Sequence, residues 1–320
     1  METKTSLRGS SITTNMDGQG GLAIETIRFF RRSWLTSRLS RICLIAISLL
    51  FAGTLGASAE GDAAGRRAVL YVAKGTFGVQ GVLYTLDPAT GAVLTTVGLL
   101  NDVAGHNYGM GALKHHPTTG IFYGATAHNS PTNPDYLVTV NPVTALVTPI
   151  GPFGAVLTDI AIDPTTGIMY AVSGYNQKFY TINTATGLAT QIGSTGLGYQ
   201  NGGGLAADRT GVLFGIDNFS FYSYNKTTGN ATLIGLTGLP DLVRAADFNP
   251  SNVLYGLEGG GGIDNLHLRL LVTFNLTTGL GTLVGVIPVY DLDAMAEIDA
   301  TDRPLSSVGR TACRQGGSTG

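Results

Sequence analysis

The feature that most constrains this chain is a short turn signature that returns five times. Successive copies lie 54, 42, 42 and 50 residues apart. A period of roughly 40 to 50 residues that holds several short strands is typical of a β-propeller blade rather than of a solenoid coil. The copies read TLDPATG, TVNPVTA, TINTATG, SYNKTTG and TFNLTTG, and they close on Gly91, Ala145, Gly187, Gly229 and Gly279.

A second turn signature alternates with the first, and together they divide each repeat into four strands. Short segments rich in β-branched and aromatic residues separate the turns, as residues 157–193 show most clearly. Asp, Pro and Gly favour hairpin dihedrals, so both signatures predict antiparallel hairpins and not a catalytic motif. The copies of the second signature are HHPTTGIFYG, IDPTTGIMYA, ADRTGVLFG and FNPSNVLYG, centred on Gly120, Gly167, Gly211 and Asn252.

One copy of the first signature carries alanine where the others carry glycine. Ala145 should therefore adopt a left-handed conformation, which costs an alanine on the order of 1 kcal/mol. On this basis alone we expect Ala145→Gly to raise the melting temperature slightly.

The two ends of the repeat region predict how the ring closes. The segment that begins at Ala68 corresponds to the second strand of a blade, whereas residues 293–298 correspond to a first strand. Pairing them would complete one blade and leave no open sheet edge. The sequence thus predicts an all-β fold over residues 66–299, a β-propeller of five four-stranded blades closed by pairing of the N- and C-terminal strands. We expect residues 300–320 to form a disordered tail.

Residues 1–59 are interpreted as an N-terminal extension and signal peptide. The apolar run 42–55 follows a basic stretch and precedes the small residues 57–59, which predicts cleavage after Ala59 and a secreted or periplasmic protein. The alternative is a membrane anchor, but this run is shorter than the ~20 residues that span a bilayer. We therefore expect no membrane span in the mature chain.

The charge of the chain argues against one class of partner, and the positions of its cysteines argue against an internal disulfide. Residues 60–320 carry 12 basic and 18 acidic side chains, so a nucleic-acid partner is not expected. The two cysteines, Cys43 and Cys313, lie in the predicted signal and tail. Packed sheets must therefore stabilise the domain without an internal disulfide, which its length allows. We expect a monomer.

Candidate ligand-binding residues lie in the loops at the end of the blades opposite the hairpin turns, here called the loop face. The distance between the two turn signatures varies only through the loop between strands two and three, and variable loops on a constant frame usually carry binding. The loops are rich in Tyr, Asn and Asp, which suits sugars, peptides or a Ca²⁺ ion. The predicted residues are Asp102, His106, Asn107, Tyr108, His128, Asn129, Tyr175, Asn176, Tyr199, Asn201, Asp217, Asn218, Asp241, Arg244, Tyr290 and Asp291.

A second group of charged residues is predicted near the propeller axis. Alignment of the inner strands puts Lys114, Asp247 and Glu297 at one register position in consecutive blades. We interpret them as a structural ion cluster that neutralises buried charge, with a metal site as the alternative.

The repeats resemble a family of uncharacterised bacterial exported proteins with DPTTG and YTINPxTG repeats. The best stretches are IDPTTGIMYAV and FYTINTATG, and the resemblance covers residues 66–299. It implies an exported propeller of the quinoprotein-like or surface-layer-repeat type, and it carries no catalytic residues over to this chain.

Three functions remain open at this point. The sequence favours a non-catalytic exported propeller that binds a carbohydrate, a peptide or an envelope protein on its loop face, with no cofactor other than a Ca²⁺ ion. The first alternative is a metal-dependent hydrolase or lyase of the lactonase-like propeller type, with a divalent cation held by Asp, Glu and His. The second is a structural envelope repeat protein.

Overall fold

A computed structural model of the chain describes residues 5–7, 10–12, 69–75, 80–198, 203–259 and 269–298. The chain divides into two compact units, residues 1–58 and 59–320. In the first unit, strand β1 (Thr5–Leu7) pairs antiparallel with β2 (Ser10–Ile12). The predicted signal peptide and tail lie outside the described residues. Within the described ranges, no helix has the length and apolar character needed to cross a bilayer.

The second unit is a five-bladed β-propeller, which confirms the prediction from the repeats. Each blade is a four-stranded antiparallel meander. From the axis outward, the strands of blade 1 are β22 (Leu292–Ile298), β3 (Val69–Lys74), β4 (Val82–Leu86) and β5 (Val93–Leu99); of blade 2, β6 (Met110–His115), β7 (Phe122–Thr126), β8 (Tyr136–Val140) and β9 (Val147–Pro152); of blade 3, β10 (Asp159–Ile162), β11 (Met169–Ser173), β12 (Lys178–Ile182) and β13 (Ala189–Ser194); of blade 4, β14 (Gly204–Ala207), β15 (Leu213–Asp217), β16 (Ser220–Tyr224) and β17 (Ala231–Leu236); and of blade 5, β18 (Val243–Phe248), β19 (Leu254–Glu258), β20 (Arg269–Phe274) and β21 (Gly281–Ile287).

The ring closes through the C-terminal strand, as the incomplete copies at the two ends predicted. Strand β22 pairs antiparallel with β3, with Met295 opposite Val72 and Ile298 opposite Val69. All of its residues are buried, and it also packs against β6 and β18 of the neighbouring blades. The first and last strands of the propeller therefore share one sheet, and the edge of β3 that would otherwise be open at the seam is paired.

The hydrophobic core lies mainly between adjacent blades. Side chains of blade 1, such as Tyr71 and Leu83, share one buried cluster with Met110 and Phe122 of blade 2. The rings of Tyr71 and Phe122 meet edge to face at 5.4 Å. Because each blade buries its faces against its neighbours, a single blade cannot be stable alone.

Adjacent blades also meet through paired glycines on their outer strands. Gly151 of β9 lies against the turn that closes the outer hairpin of blade 3, and a Cβ on Gly187 would lie 2.3 Å from the Gly151 carbonyl oxygen. In the joint between blades 1 and 2, Ala145 takes the place of glycine opposite Gly98, with a φ of 59°. The left-handed conformation predicted for Ala145 is thereby confirmed. The other joints pair Gly193 with Gly229, Gly235 with Gly279, and Gly285 with Gly91.

We expect Gly187→Ala to lower the free energy of unfolding and Ala145→Gly to leave it almost unchanged. At Gly187 the φ is +81° and the added methyl group would meet backbone, so the free energy of unfolding should fall by more than about 1 kcal/mol. At position 145, glycine relieves about 1 kcal/mol of strain but removes a fully buried methyl group worth about 0.8 kcal/mol, so the rise expected from sequence shrinks to almost nothing. Denaturant unfolding measures both variants, and equal losses would contradict the paired-glycine joint.

Candidate functional site

The loop face is formed by the loops between strands two and three of each blade and by the connections between blades. The hairpin turns lie at the opposite end of each meander, because successive strands are antiparallel. Tyr199 and Asn201 of the predicted set lie outside the described residues. The described residues of the loop face are 75, 80–81, 100–109, 127–135, 153–158, 174–177, 195–198, 203, 218–219, 237–242, 259 and 288–291.

Asp102, His106 and Tyr108 form one hydrogen-bonded group between blades 1 and 2. Asp102 Oδ2 lies 3.0 Å from His106 Nδ1 and accepts a hydrogen bond from the Tyr108 hydroxyl at 3.0 Å. Desolvation alone would raise the pKa of Asp102, but the hydrogen bonds from His106, Tyr108 and Ala104 outweigh it and lower the pKa to about 2. Burial and the neighbouring Asp102 raise the pKa of Tyr108 to about 12. These groups stiffen the loop, and a carboxylate with so low a pKa is poorly suited to act as a general base.

Asn107 and the neighbouring candidates of blades 2 and 3 are likewise engaged within the fold. Asn107 accepts a hydrogen bond from Gly81 N at 2.6 Å and donates one to Gly81 O at 3.0 Å, which ties the connection between blades 1 and 2 to the loop before β4. His128 Nδ1 lies 2.7 Å from Asp135 Oδ2, and its ring lies 6.4 Å from that of Tyr175. Asn176 donates to the Tyr180 hydroxyl at 2.9 Å, while Asn129 is exposed at the turn after β7.

A buried ionic network occupies the loop face where blades 5 and 1 meet. Arg269 donates to the Gly259 carbonyl oxygen and, at 3.2 Å, to Asp293 Oδ1. Arg244 Nε lies 4.0 Å from the same oxygen. Burial lowers the pKa of Arg269, and the carboxylate of Asp293 opposes that change. The predicted residue Arg244 thus belongs to a network whose centre, Arg269, sequence reasoning missed because it begins a strand that otherwise reads as apolar.

Three carboxyl groups surround this network. Burial raises the pKa of Glu258 to about 7, and the charge of Asp241 adds to the rise. Burial and Asp293 also raise the pKa of Asp291, which has a φ of 54°. The structure therefore brings Asp241, Arg244 and Asp291 into one electrostatic neighbourhood, whereas Tyr290 beside them stays exposed.

A small cavity opens on the loop face between blades 3 and 4. It is lined by the ends of β11 and β15, including Ser173 and Asp217, and by the ring of Tyr224. Burial raises the pKa of Asp217 to about 8, against a backbone hydrogen bond from Asn218 that lowers it. Sequence reasoning selected Asp217 and Asn218 but not Ser173, which reads as an ordinary strand residue.

The axial charged group differs in detail from the predicted ion cluster. Lys114 Nζ donates to Ala246 O at 2.9 Å and to Met295 O at 3.3 Å, and it lies 3.7 Å from Asp159 Oδ1. Asp247 Oδ2 accepts a hydrogen bond from the backbone N of Glu297 at 3.0 Å. Lys114 therefore reaches from blade 2 to the carbonyl groups of blades 5 and 1, with Asp159 of blade 3 as its ion-pair partner.

The register assigned to Glu297 was wrong by one residue. Ala161 lies opposite Tyr170, whereas the equivalent Tyr71 lies opposite Ala296, and Glu297 pairs with Leu70. No hairpin turn connects β22 to β3, so no turn residue marks the phase of that strand in the sequence. The closeness of Glu297 to Asp247 arises through its backbone N–H and not through a shared register.

The electrostatics at the axis reflect the burial of these carboxyl groups. Burial raises the pKa of Asp159 to about 7, and Lys114 opposes the rise. Burial raises the pKa of Asp247 as well, again against the field of Lys114. Across the described ranges, no set of three or more His, Cys, Asp or Glu side chains is arranged to hold a metal ion.

Comparisons with known proteins concern the fold. No family model matches the sequence, and the search of curated proteins finds no match. A chain from a crystal structure of a nidogen/laminin complex is similar over 73% of this chain and 99% of that chain, with 11% identity and a TM-score of 0.50. A protein of unknown function from Bacteroides caccae is similar over 72% of this chain and 98% of its own, with 10% identity and a TM-score of 0.47. At such identities the likeness is one of fold alone.

Proposed function

We propose that this protein is a non-catalytic exported propeller that binds a peptide or a segment of a partner protein across its loop face. The observation that carries the proposal is a set of large exposed aromatic side chains on three loops of that face. Tyr175, Phe219 and Tyr290 are 52%, 46% and 46% exposed. Aromatic side chains are the usual anchors of protein interfaces because they bury a large area at a small entropic cost.

The polar residues of the face support a binding role in a different way. Asn176 donates a hydrogen bond to the Tyr180 hydroxyl at 2.9 Å, and the Phe219 carbonyl oxygen accepts one from Thr237 N at 2.8 Å, so the loops that carry Tyr175 and Phe219 are braced. A braced loop loses little conformational entropy on binding, which favours affinity. A chain of the same fold in a nidogen/laminin complex adds support for a protein partner.

The binding proposal is tested with a triple variant, Tyr175→Ser with Phe219→Ser and Tyr290→Ser. The wild-type mature domain and the triple variant are applied to a random-peptide array and to a glycan array. The wild type should bind peptides, and the peptide signal of the triple variant should be at least tenfold lower. The matched control replaces Ile121, Ile168 and Val212, which are 38%, 43% and 42% exposed beside the hairpin turns, with serine and should keep the signal. Binding to glycans alone, or equal losses in both variants, would contradict the proposal.

Export is part of the same proposal. It is supported by the apolar run 42–55 and by the small residues that follow it. Mass spectrometry of the protein isolated from its native host should find an N-terminus at Glu60. An envelope or secreted form that retains residues 1–59 would contradict cleavage at this position.

A further inference from the structure

The cavity between blades 3 and 4 contains polar atoms that no described residue uses. Asp217 is 7% exposed and Ser173 is 1% exposed. Asp217 Oδ1 and Ser173 Oγ accept or donate no hydrogen bond within the described part of the chain. A buried polar group without a partner destabilises the fold, so a ligand that supplied the missing bonds would be held at this position.

The walls of the cavity indicate what kind of group would fit. The Thr158 hydroxyl already donates to Val172 O at 3.1 Å, so it presents only lone pairs to the cavity. An ionised Asp217 is an acceptor as well. The site is therefore rich in acceptors, and the group that satisfies it must bring several N–H or O–H donors.

The size of the cavity restricts the donor further. Its volume is about 10 Å³, which is room for the centre of a single water-sized group. An ammonium head has this size and carries three donors, whereas a guanidinium is a larger planar group with five donors.

The surroundings of the cavity suit a cation on an aliphatic stem. The loops that bear the exposed Tyr175 and Phe219 leave the two strands whose ends line the cavity. Aromatic rings attract cations through their faces, and they also pack against the methylene groups of a lysine. Without a cation, burial keeps the pKa of Asp217 near 8, so an incoming ammonium would displace the carboxyl proton and gain a buried charge partner.

We propose that this cavity is a subsite for a primary ammonium group, supplied by a lysine side chain or by the N-terminus of the bound partner. The subsite rests on the proposed function, since it lies on the same face and names the chemistry of the partner. Asp217 accepts the ammonium hydrogen bonds, with Ser173 and Thr158 as further acceptors.

The probe for this subsite is n-butylammonium, compared with n-butylguanidinium and 1-butanol by calorimetry and NMR titration of the mature domain. We expect n-butylammonium to bind at least tenfold more tightly than the other two. Asp217→Asn, which keeps the shape of the side chain, should weaken it at least tenfold. Asp87→Asn removes a carboxylate from a hairpin turn at the opposite end of the blades, keeps the acceptor for Ala89 N, and should change the affinity less than twofold.

Four outcomes would overturn the subsite. They are no binding of n-butylammonium, equal binding of 1-butanol, equal binding of n-butylguanidinium, and unchanged binding of n-butylammonium by Asp217→Asn in a protein that still unfolds cooperatively. Failure of the subsite is distinguishable from failure of the proposed function. If the aromatic triple variant loses peptide binding but the wild type does not bind n-butylammonium, only the subsite is rejected. If the triple variant keeps peptide binding and the wild type binds n-butylammonium, only the peptide-binding surface is rejected.

Discussion

Deletion of residues 292–298 is expected to abolish folding of the propeller. The deleted strand β22 supplies seven buried residues, and it forms the inner edge of blade 1 as well as the contact with blades 2 and 5. Removal of a large buried side chain such as Leu292 or Met295 alone costs about 2 to 5 kcal/mol. Several such losses, added to the hydrogen bonds with β3, exceed the roughly 5 to 15 kcal/mol that stabilises a typical domain.

Circular dichroism and thermal unfolding measure this prediction directly. The deletion variant should show no cooperative unfolding transition, whereas the full-length chain should unfold cooperatively. A synthetic peptide of residues 290–300 should restore part of the native signal, because the missing strand is then supplied in trans. A deletion variant with a wild-type midpoint would show that the seam does not stabilise the ring.

The closure of the ring could be predicted because the turn residues mark where the strands begin and end. Turn residues such as Gly91 and Gly187 need a left-handed φ, so the sequence marks each hairpin and thereby the strands on either side. A strand without a tight turn has no such mark. The phase of Glu297 was therefore misjudged, although the strand that contains it was placed correctly.

The chemistry of the site was less accessible from sequence because it depends on contacts between blades. Asp159 is the first residue of an inner strand, where a polar residue is common, so the sequence does not indicate its ion pair with Lys114 of the preceding blade. Ser173 becomes a candidate site residue only because it lines the same cavity as Asp217 of the next blade. The repeat pattern defines each blade, but it does not state which side chains meet across the space between two blades.

The substitution Lys114→Met should destabilise the protein by about 3 to 5 kcal/mol at pH 8, the cost of leaving a buried charge without its partner. Lys114 is 2% exposed, its ammonium group lies 3.7 Å from the buried carboxyl group of Asp159, and its charge also opposes the rise that burial causes in the pKa of Asp247. Methionine fills a similar volume, so the loss should come from electrostatics and from the two lost hydrogen bonds to backbone carbonyl groups. Lys178→Met, on the outer part of blade 3, should stay within about 0.5 kcal/mol of the wild type.

The loss caused by Lys114→Met should depend on pH in a defined direction. Burial raises the folded-state pKa of Asp159 from 3.8 to about 7, so its protonated form favours folding. This contribution is complete below about pH 4 and is lost as the pH rises through 7. Without Lys114 the pKa of Asp159 should rise further, so the charged form becomes more costly above pH 7. The deficit should therefore be largest at pH 8 and much smaller at pH 5.

Denaturant unfolding at pH 5 and pH 8 separates this electrostatic effect from a simple packing defect. A packing defect would give the same deficit at both values, and that result would refute the role assigned to Lys114. Adding Asp247→Asn to Lys114→Met should recover part of the stability at pH 8, because burial disfavours the charged form of Asp247 and asparagine carries no charge. The coupling between the two substitutions should shrink at pH 5, because burial raises the pKa of Asp247 and a fall in pH favours its neutral form.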